Sequence, residues 1–561
     1  MIFARPLPAA VLALLGCFLT TGAQAQNKNQ QGALTNFALA DPNATVLQRG
    51  AALATQGMCT DLRNSGLALS SPTPQGDLFR RCNELIQTAI ALNPNGGFAS
   101  NGRSLGLNST QLLGALQQIS GEEVSTRGEL ATQVSQGQFA NVSGRLNALR
   151  LGTFTVLSRA RIAGLDPDED SHALALSNAG DVSASGPVRS AASLANVGYS
   201  DYGRNSISGG LQPVAYYYTF ADAPVDTTAG DTAGSASSRS GPSRGMGQAS
   251  GQITQHWGWF AEGSYVWGNR DQTAAEDGFD FKAESFTAGI DYNFGSAVLG
   301  GSIGYDHYKA TFDNNGQVSG GDVTVKGISG SLYGAWFSDL LFVNGIVSYG
   351  SPTTHMTRNV VYSSSNSCPP ATPCPAQDRA LTSSPDSRYF AVGATVGHDF
   401  DVSSWDLEAS LSANYRRVKI DSFAENDTSG GGLALAYDDQ TIDSFRSIVG
   451  LNISRALSTS FGVVSPSARV EWHHEFKDNP RTLYAKYALD ATPGSVQSNF
   501  VTCDSCFAFP TDRQDSDFGV VGAGLSTVLA HRLQAYLFYE RLVGASNLTS
   551  NAIAIGIRGQ F

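Results

Sequence analysis

The chain of 561 residues closes on Asn551–Phe561, NAIAIGIRGQF. Read at period two, Ile553, Ile555, Ile557, Gly559 and Phe561 fall on one face, and Ala552, Ala554, Gly556, Arg558 and Gln560 on the other. Successive residues of a strand point to opposite sides of the sheet, so this is a strand with one apolar face and a terminal aromatic residue. The final strand of an outer-membrane barrel is expected to end this way. It must close against the first strand and turn one face to lipid.

The same alternation runs upstream to about Thr254. In the first such stretch Trp257, Trp259, Ala261, Tyr265 and Trp267 share a face, with Glu262 and Ser264 opposite. Trp259 and Trp267 are eight residues apart, about 26 Å along a strand and about 20 Å across a bilayer once tilted, so Trp257, Trp259, Tyr265 and Trp267 are expected as interfacial anchors. Trp405–Arg416 alternates most cleanly. Trp405, Leu407, Ala409, Leu411, Ala413 and Tyr415 face one way, and Asp406, Glu408, Ser410, Ser412, Asn414 and Arg416 the other. A soluble sandwich would bury the apolar face. Here the charged face recurs in Arg469, Glu471, His473 and Glu475, and again in Glu540 and Arg558, which suits a closed barrel with a polar lumen. Twelve strands are expected, starting near Thr254, Phe279, Ala297, Val318, Leu340, Ser387, Ser404, Thr441, Ser460, Gln514, Arg532 and Leu548. Short connections (FGSA, FSDL, DVSS, LSTS) alternate with long ones at 357–386, 422–440 and 478–513. An even count with alternating short turns and long loops is the outer-membrane pattern. The fold class is therefore an all-β transmembrane barrel with a small α-helical module before it.

Composition agrees with this. There are 61 Gly against 36 Lys and Arg, and 28 Phe, 19 Tyr and 6 Trp, as alternating strands require. A net charge of −12 leaves no basic stripe to displace phosphate counterions, which argues against a nucleic-acid partner. Residues 1–25 read as a secretory signal peptide: Arg5, an apolar run from Pro8 to Leu19, and Ala23-Gln24-Ala25 as the cleavage site. Leu14-Leu15-Gly16-Cys17 loosely resembles a lipoprotein box, but the apolar run continues beyond Cys17. No other stretch approaches eighteen apolar residues, so no transmembrane helix is expected. Beyond Cys17 the cysteines fall in local pairs: Cys59 with Cys82, Cys368 with Cys374 in SCPPATPC, and Cys503 with Cys506 in CDSC. Close, even pairs in an exported chain read as disulfides. For CDSC a redox or zinc motif is the competing reading, although neither the helix nor the further ligands it would need lie nearby.

Before the barrel, residues 26–106 read as a helical module, with helical spacing over Leu53–Leu69 and Asp77–Leu92 and a Cys59–Cys82 staple between the helices. Ser109–Arg150 holds no Pro and reads as one long helix, within a linker segment at 107–165. Leu112, Leu116, Ile119, Leu130, Val134, Val142, Leu146 and Leu149 form its broken stripe, separated by Gly, Ser, Gln and Asn. Such a helix suits a confined wet channel better than an oily core. Residues 166–252 read as a Gly/Ser-rich flexible linker, and 253–561 as the barrel.

Several blocks resemble the autotransporters, type V secretion proteins with a C-terminal twelve-strand β-domain. LLGALQQISGEEVSTRGELATQ (112–133) is similar to the helix that precedes such barrels. WGWFAEGSYVWGNRD (257–271), SARVEWHHEF (467–476), GVVGAGLSTVL (519–529) and YLFYERL (536–542) are similar to barrel segments. The resemblance covers roughly 107–561. It implies an outer-membrane location in a Gram-negative bacterium and delivery by periplasmic chaperones. It also implies insertion by the barrel assembly machinery through Ile553, Ile555, Ile557 and Phe561, and a helix threading the lumen. Three departures stand out. Gly559 takes a position usually aromatic or large. About a hundred residues separate helix from barrel, which leaves open whether the helix lies in the pore. The usual long passenger is missing, so 26–106 is the candidate cargo.

No enzyme is expected. Gly300-Gly301-Ser302-Ile303-Gly304 matches the nucleophile elbow in letters, but it lies inside an alternating strand instead of a strand-to-helix turn. His473 and His474 are adjacent and point to opposite faces, so they cannot share a metal, and no metal or cofactor is expected. The lumen charges, Glu262, Asp406, Glu408, Arg416, Arg469, Glu471, His473, Glu475, Glu540 and Arg558, are expected to solvate the channel and grip the helix. The reading is a barrel that anchors, and translocates or displays, a short module for adhesion or envelope interaction. Its rival is a plugged pore or structural barrel with a periplasmic module. No surface ligand can be read.

Overall fold

Twelve long antiparallel strands wind into a closed ring. They are β1 Trp257–Arg270, β2 Phe279–Asn293, β3 Ala297–Phe312, β4 Gly321–Phe337, β5 Leu341–Tyr362, β6 Ser387–Val402, β7 Trp405–Ile420, β8 Gln440–Ser454, β9 Gly462–Glu475, β10 Asp517–Val528, β11 Gln534–Val543 and β12 Leu548–Gln560. The computed structural model describes residues 32–151 and 256–560, apart from 316–317, 339–340, 365–376, 461, 492, 501–502, 504 and 529–532. The expected signal peptide, the expected linker at 166–252, the Cys368–Cys374 pair and Phe561 lie outside the described residues. Each strand pairs with its neighbours in sequence, and the seam runs from Gly258 opposite Gln560 to Arg270 opposite Leu548. Closure leaves no edge strand, the condition for β-structure to cross a bilayer.

The alternation seen in the sequence sorts the two faces of the wall. Ile303, Ile328, Leu332, Leu411, Leu451 and Ile555 are exposed on the outside. Aromatic residues flank them, with Trp257, Phe294, Trp336 and Phe400 near the short-turn end and Tyr265, Tyr305, Tyr349 and Trp472 towards the other. Among the described residues no helix is long and apolar enough to span a membrane.

At the short-turn end the hairpins are tight, and the mainchain of Phe294 bonds back to Ala297 and that of Ser338 to Leu341. At the opposite end the long connections carry structure of their own. Segments Phe423–Ala424, Leu435–Tyr437, Thr482–Tyr487 and Cys506–Pro510 build a four-stranded sheet, and Gln377–Ser383 prolongs the hairpin that begins in β5.

On this sheet sit the helices α1 Ala33–Ala40, α2 Val46–Asn64, α3 Pro74–Leu92 and α4 Ser109–Ser120. Their starts follow from capping. Thr45 and Asn108 each accept from the backbone three residues on, and Gln48 and Gln111 return the bond, forming two capping boxes. Thr73 caps α3, with Pro74 at the first helical position. The caps set α2 and α3 earlier than the apolar spacing suggested, and α2 stops at Asn64 instead of running to Leu69. Cys59 and Cys82 are bonded across α2 and α3, and Cys503 is bonded to Cys506 in a loop.

The expected single helix over Ser109–Arg150 is in fact two, α4 and α5 Val124–Leu151. The break is Gly121, with φ +68°, ψ +32° and its carbonyl accepting from the Tyr437 hydroxyl at 3.0 Å. A Cβ there would stand 2.1 Å from that hydroxyl oxygen, so glycine is required both by backbone and by space. The helical module is not a separate domain. Leu34, Ala51, Leu78, Leu85 and Leu116 share one apolar core with Leu435, Tyr487 and Phe507 of the loop sheet and Phe281, Val325 and Tyr389 of the barrel rim.

Candidate functional site

The site is the lumen and the helix inside it. Polar outward turns at one end and a loop-built cap at the other leave α5 as the element that connects the two. Gly121 just ahead of it lies beside Tyr437 and Gly128 in its second turn beside Ile442 near the long-loop end, its middle beside Tyr308 and Asp306, and Arg145 beside Gly258 and Asp291 near the short-turn end. The helix therefore descends the whole barrel. The intervening segment before β1 does not keep it out of the pore, because the helix exit and the start of β1 lie at the same end.

Side chains from β1, β2 and β3 hold it. The Arg145 guanidinium is paired with Asp291, with Nη2 donating to Oδ1 at 2.6 Å, both side chains being no more than 1 % exposed. Tyr333 donates its hydroxyl to the other Asp291 oxygen at 3.1 Å. Gln138 donates to Asp306 at 3.0 Å and accepts from Thr287 at 2.7 Å, while Asn141 donates to the same Thr287 hydroxyl at 2.7 Å. Tyr308 donates to the Gln133 carbonyl at 3.2 Å. Higher up, Arg270 meets Glu129 at 2.8 Å and is also paired with Glu276 and Asp512. Charged hydrogen bonds in a dry wall are geometrically demanding, so they fix the helix rotation as well as its depth.

The lower half of the lumen is oilier than expected. Phe139, Val142 and Leu146 of α5 pack with Phe260, Tyr333, Phe342 and Ile346 pointing inward. Inward aromatic residues on β1, β4 and β5 interrupt the polar alternation, which explains why a helix with Val142 and Leu146 can be accommodated.

All ten lumen charges face inward and are at most 5 % exposed. Arg416 reaches the helix through Gln136, whose side-chain oxygen, turned towards it, accepts at 2.8 Å. The others described make pairs along the wall: Arg469 with Glu540, His473 with Glu471 at 2.8 Å, Glu475 with Ser444 at 2.7 Å and Arg446 at 3.5 Å, and Arg558 with Glu262 at 4.0 Å. Asp406 and Glu408 are buried on β7. The grip on the helix comes chiefly from Asp291, Asp306 and Thr287, which the sequence reading did not single out. Asp291 and Asp306 each sit on an inward position of an alternating strand, a signal that was there to be used.

Trp257 and Tyr265 are exposed on the outer wall, Tyr265 stacks on Trp267, and Trp259 lies against Gly559 of β12. The last contact accounts for the missing large residue at 559, since a Cβ there would stand 2.5 Å from the Trp259 indole nitrogen. The ring is supplied across the seam instead. Ile553, Ile555 and Ile557 are exposed on the lipid face of β12. Ser302 lies within β3, opposite Gly289 and Ser331, and the strand continues to Phe312, so the turn that a nucleophile elbow needs is not there.

Two side chains clamp the module to the loops. Arg379 meets Asp77 at 2.9 Å and Asp427 at 2.9 Å, and the Thr55 and Tyr487 hydroxyls lie 2.8 Å apart. Inside the module burial pushes the Glu84 carboxyl up to about 7, against the pull of Arg81 and Arg103.

A closed twelve-strand barrel with a helix through its lumen defines a translocator-type outer-membrane domain. The family model for the autotransporter β-domain matches residues 259–540, half of the chain, and the protein belongs to that family. It resides in the outer membrane of a Gram-negative bacterium, where such domains anchor or translocate a passenger. Among solved structures it is similar to the translocator domain of the autotransporter NalP from Neisseria meningitidis, at 18 % identity over 55 % of this chain and 89 % of that one, with a TM-score of 0.39. It is also similar to the β-domain of the Bordetella autotransporter BrkA, at 16 % identity over 55 % and 100 % of the chains, with a TM-score of 0.37. A Pseudomonas putida protein from the trpE–trpG intergenic region is 35 % identical over 104 residues, which span 18 % of this chain and 17 % of that protein.

Proposed function

We propose that the barrel carries its own short N-terminal module to the cell surface and keeps it there as a loop-clamped cap, available for adhesion or envelope interaction. The observation that carries this is the course of α5, from the module and long loops at one end of the lumen to the short turns at the other. In outer-membrane barrels the long loops lie outside the cell. The Cys59–Cys82 bond, the Arg379–Asp77 pair and the shared core favour a cap retained on the barrel over a released passenger. The lipid-facing Ile553, Ile555 and Ile557 beside the β1–β12 seam support assembly through the last strand by the barrel assembly machinery after escort by periplasmic chaperones.

The test is an epitope tag inserted after Asn27, probed on intact cells with antibody and external protease. Labelling and shaving are the expected result. A tag hidden until the outer membrane is opened overturns display and leaves a plugged pore, the reading favoured by the helix in the lumen alone. In that case deletion of 107–150 raises single-channel conductance without changing what is exposed.

A further inference from the structure

At the junction of module, helix and barrel three carboxylates meet out of solvent. Glu122 and Glu123 occupy the two positions between Gly121 and α5, and Asp277 lies in the connection from β1 to β2. The side chains are 1 %, 2 % and 2 % exposed. One carboxylate oxygen from each lies within 4.8 Å of those of the other two. Only part of their bonding capacity is used. Glu122 Oε1 accepts from the Asp277 amide at 2.7 Å, and Asp277 Oδ1 accepts from Gln117 at 3.3 Å and Gln272 at 3.4 Å. The second oxygens of Glu122 and Glu123, Oε2 in each case, are buried and make no hydrogen bond.

We infer that Glu122, Glu123 and Asp277 bind a hard divalent cation of the calcium type, which fastens the head of the lumen helix to the β1–β2 connection. Calcium sits about 2.3–2.6 Å from oxygen ligands, so two ligands on one ion can be up to about 5 Å apart, as these are. The donor set is oxygen alone, which selects calcium over zinc or copper. Nearby guanidinium groups have other carboxylates to satisfy: Arg358 attracts Glu123 but is bidentate to Glu425 at 2.9 and 2.6 Å, and Arg270 is held by Glu129, Glu276 and Asp512. Three buried carboxylates whose guanidinium neighbour Arg358 is shared with Glu425 are costly, so the cluster must take up protons or a cation. Burial does push Glu123 up to about 8 and Asp277 to about 6, which makes protons the rival occupant. One oxygen from each of the three carboxylates within 4.8 Å, with two buried oxygens left unbonded, favours the ion, because one cation can take a ligand from all three residues at once.

The test uses the full chain purified in detergent, stripped with EGTA and titrated with CaCl2 by calorimetry. Terbium serves as the luminescent probe, sensitised by Tyr437. One saturable site is expected, with Kd of roughly 10⁻⁴–10⁻³ M as in extracellular calcium modules. At free calcium ten times Kd, cleavage by trypsin at Arg127 should slow about tenfold, as expected when ligand binds the closed form alone. Glu122→Gln with Glu123→Gln should abolish binding and Asp277→Asn should weaken it at least tenfold by the loss of one ligand of three, while Glu284→Gln on the outer wall binds as wild type. Absence of a saturable site in the wild-type chain overturns the inference even if the double variant fails to fold. Equal binding by a folded double variant overturns it too.

Discussion

Asp291→Asn strikes at the tightest hold on the lumen helix. The carboxylate accepts from Arg145 at 2.6 Å and from Tyr333 at 3.1 Å, in a site where neither member of the ion pair is more than 1 % exposed. An amide keeps the shape and one acceptor but removes the Asp291 charge from beside the buried Arg145 guanidinium. Removing one partner of a buried pair costs about 3–5 kcal/mol. At 1.36 kcal/mol per decade, that moves the equilibrium between seated and displaced helix by roughly 150- to 5,000-fold. The assay is ion conductance of the purified chain in planar bilayers, with the heat-modifiable gel band checking that the barrel remains folded. The variant should conduct in long openings that the wild type lacks. Arg145→Met combined with Asp291→Leu should close it again, because Arg145 already lies 5.6 Å from the Phe260 ring in an otherwise apolar layer. A folded Asp291→Asn barrel as silent as wild type would refute the reasoning and place the hold on the apolar contacts of Phe139, Val142 and Leu146.

Three further outcomes are expected. Replacing Cys59 and Cys82 by Ala should cost the cap about 2–4 kcal/mol, read as faster surface proteolysis of α2 and α3 while the barrel band is unchanged. Because the folded state raises the Glu84 carboxyl from 4.5 to about 7, it prefers the proton. The cap is therefore relatively most stable below about pH 4.5 and loses up to about 3 kcal/mol as pH rises through 7, so its urea midpoint should be higher at pH 5 than at pH 8. A reversed order sinks that account. Gly559→Phe should overpack the seam by about 1–3 kcal/mol and lower the assembled fraction in the outer membrane, with Trp259→Gly restoring it. Assembly at the wild-type level would mean that the seam tolerates both rings.

Most of the barrel was legible in the chain because each strand carries its own two-residue period. Trp405–Arg416 needs no partner to reveal its lipid face, and all twelve expected starts lie within three residues of the observed ones. The local disulfides were legible for a similar reason, since Cys59–Cys82 and Cys503–Cys506 join neighbours. What could not be read depends on contacts between distant residues. The break at Gly121 is fixed by Tyr437, 316 residues away. The acid cluster unites Glu122 with Asp277, 155 residues away, and neither residue signals the other. Inward Phe260 and Phe342 break the polar pattern for a helix whose place in the lumen no local period encodes. Gly559 looked like a defect in the last strand until Trp259 was found filling its space.

The shared core also bears on the order in which the parts fold. Thr55 on α2 bonds to Tyr487, Leu78 on α3 packs under Gly432, and Leu34, Leu85 and Leu116 belong to a cluster completed by Leu435, Tyr487 and Phe507. Cut away from the loops, residues 33–120 would expose several of these side chains, each worth about 1.5–3 kcal/mol of burial. A small domain has a total stability of only about 5–15 kcal/mol, so the losses consume most of it. The oxidised peptide 33–120 should therefore show weak helicity and no cooperative unfolding, while the same residues in the full chain resist protease. A peptide that unfolds cooperatively with the stability of the intact cap would refute this. If the peptide is unfolded on its own, the module completes its fold only where the long loops are. Under the proposed display, it then crosses the membrane as an open chain and is trapped outside by the contacts that finish its core.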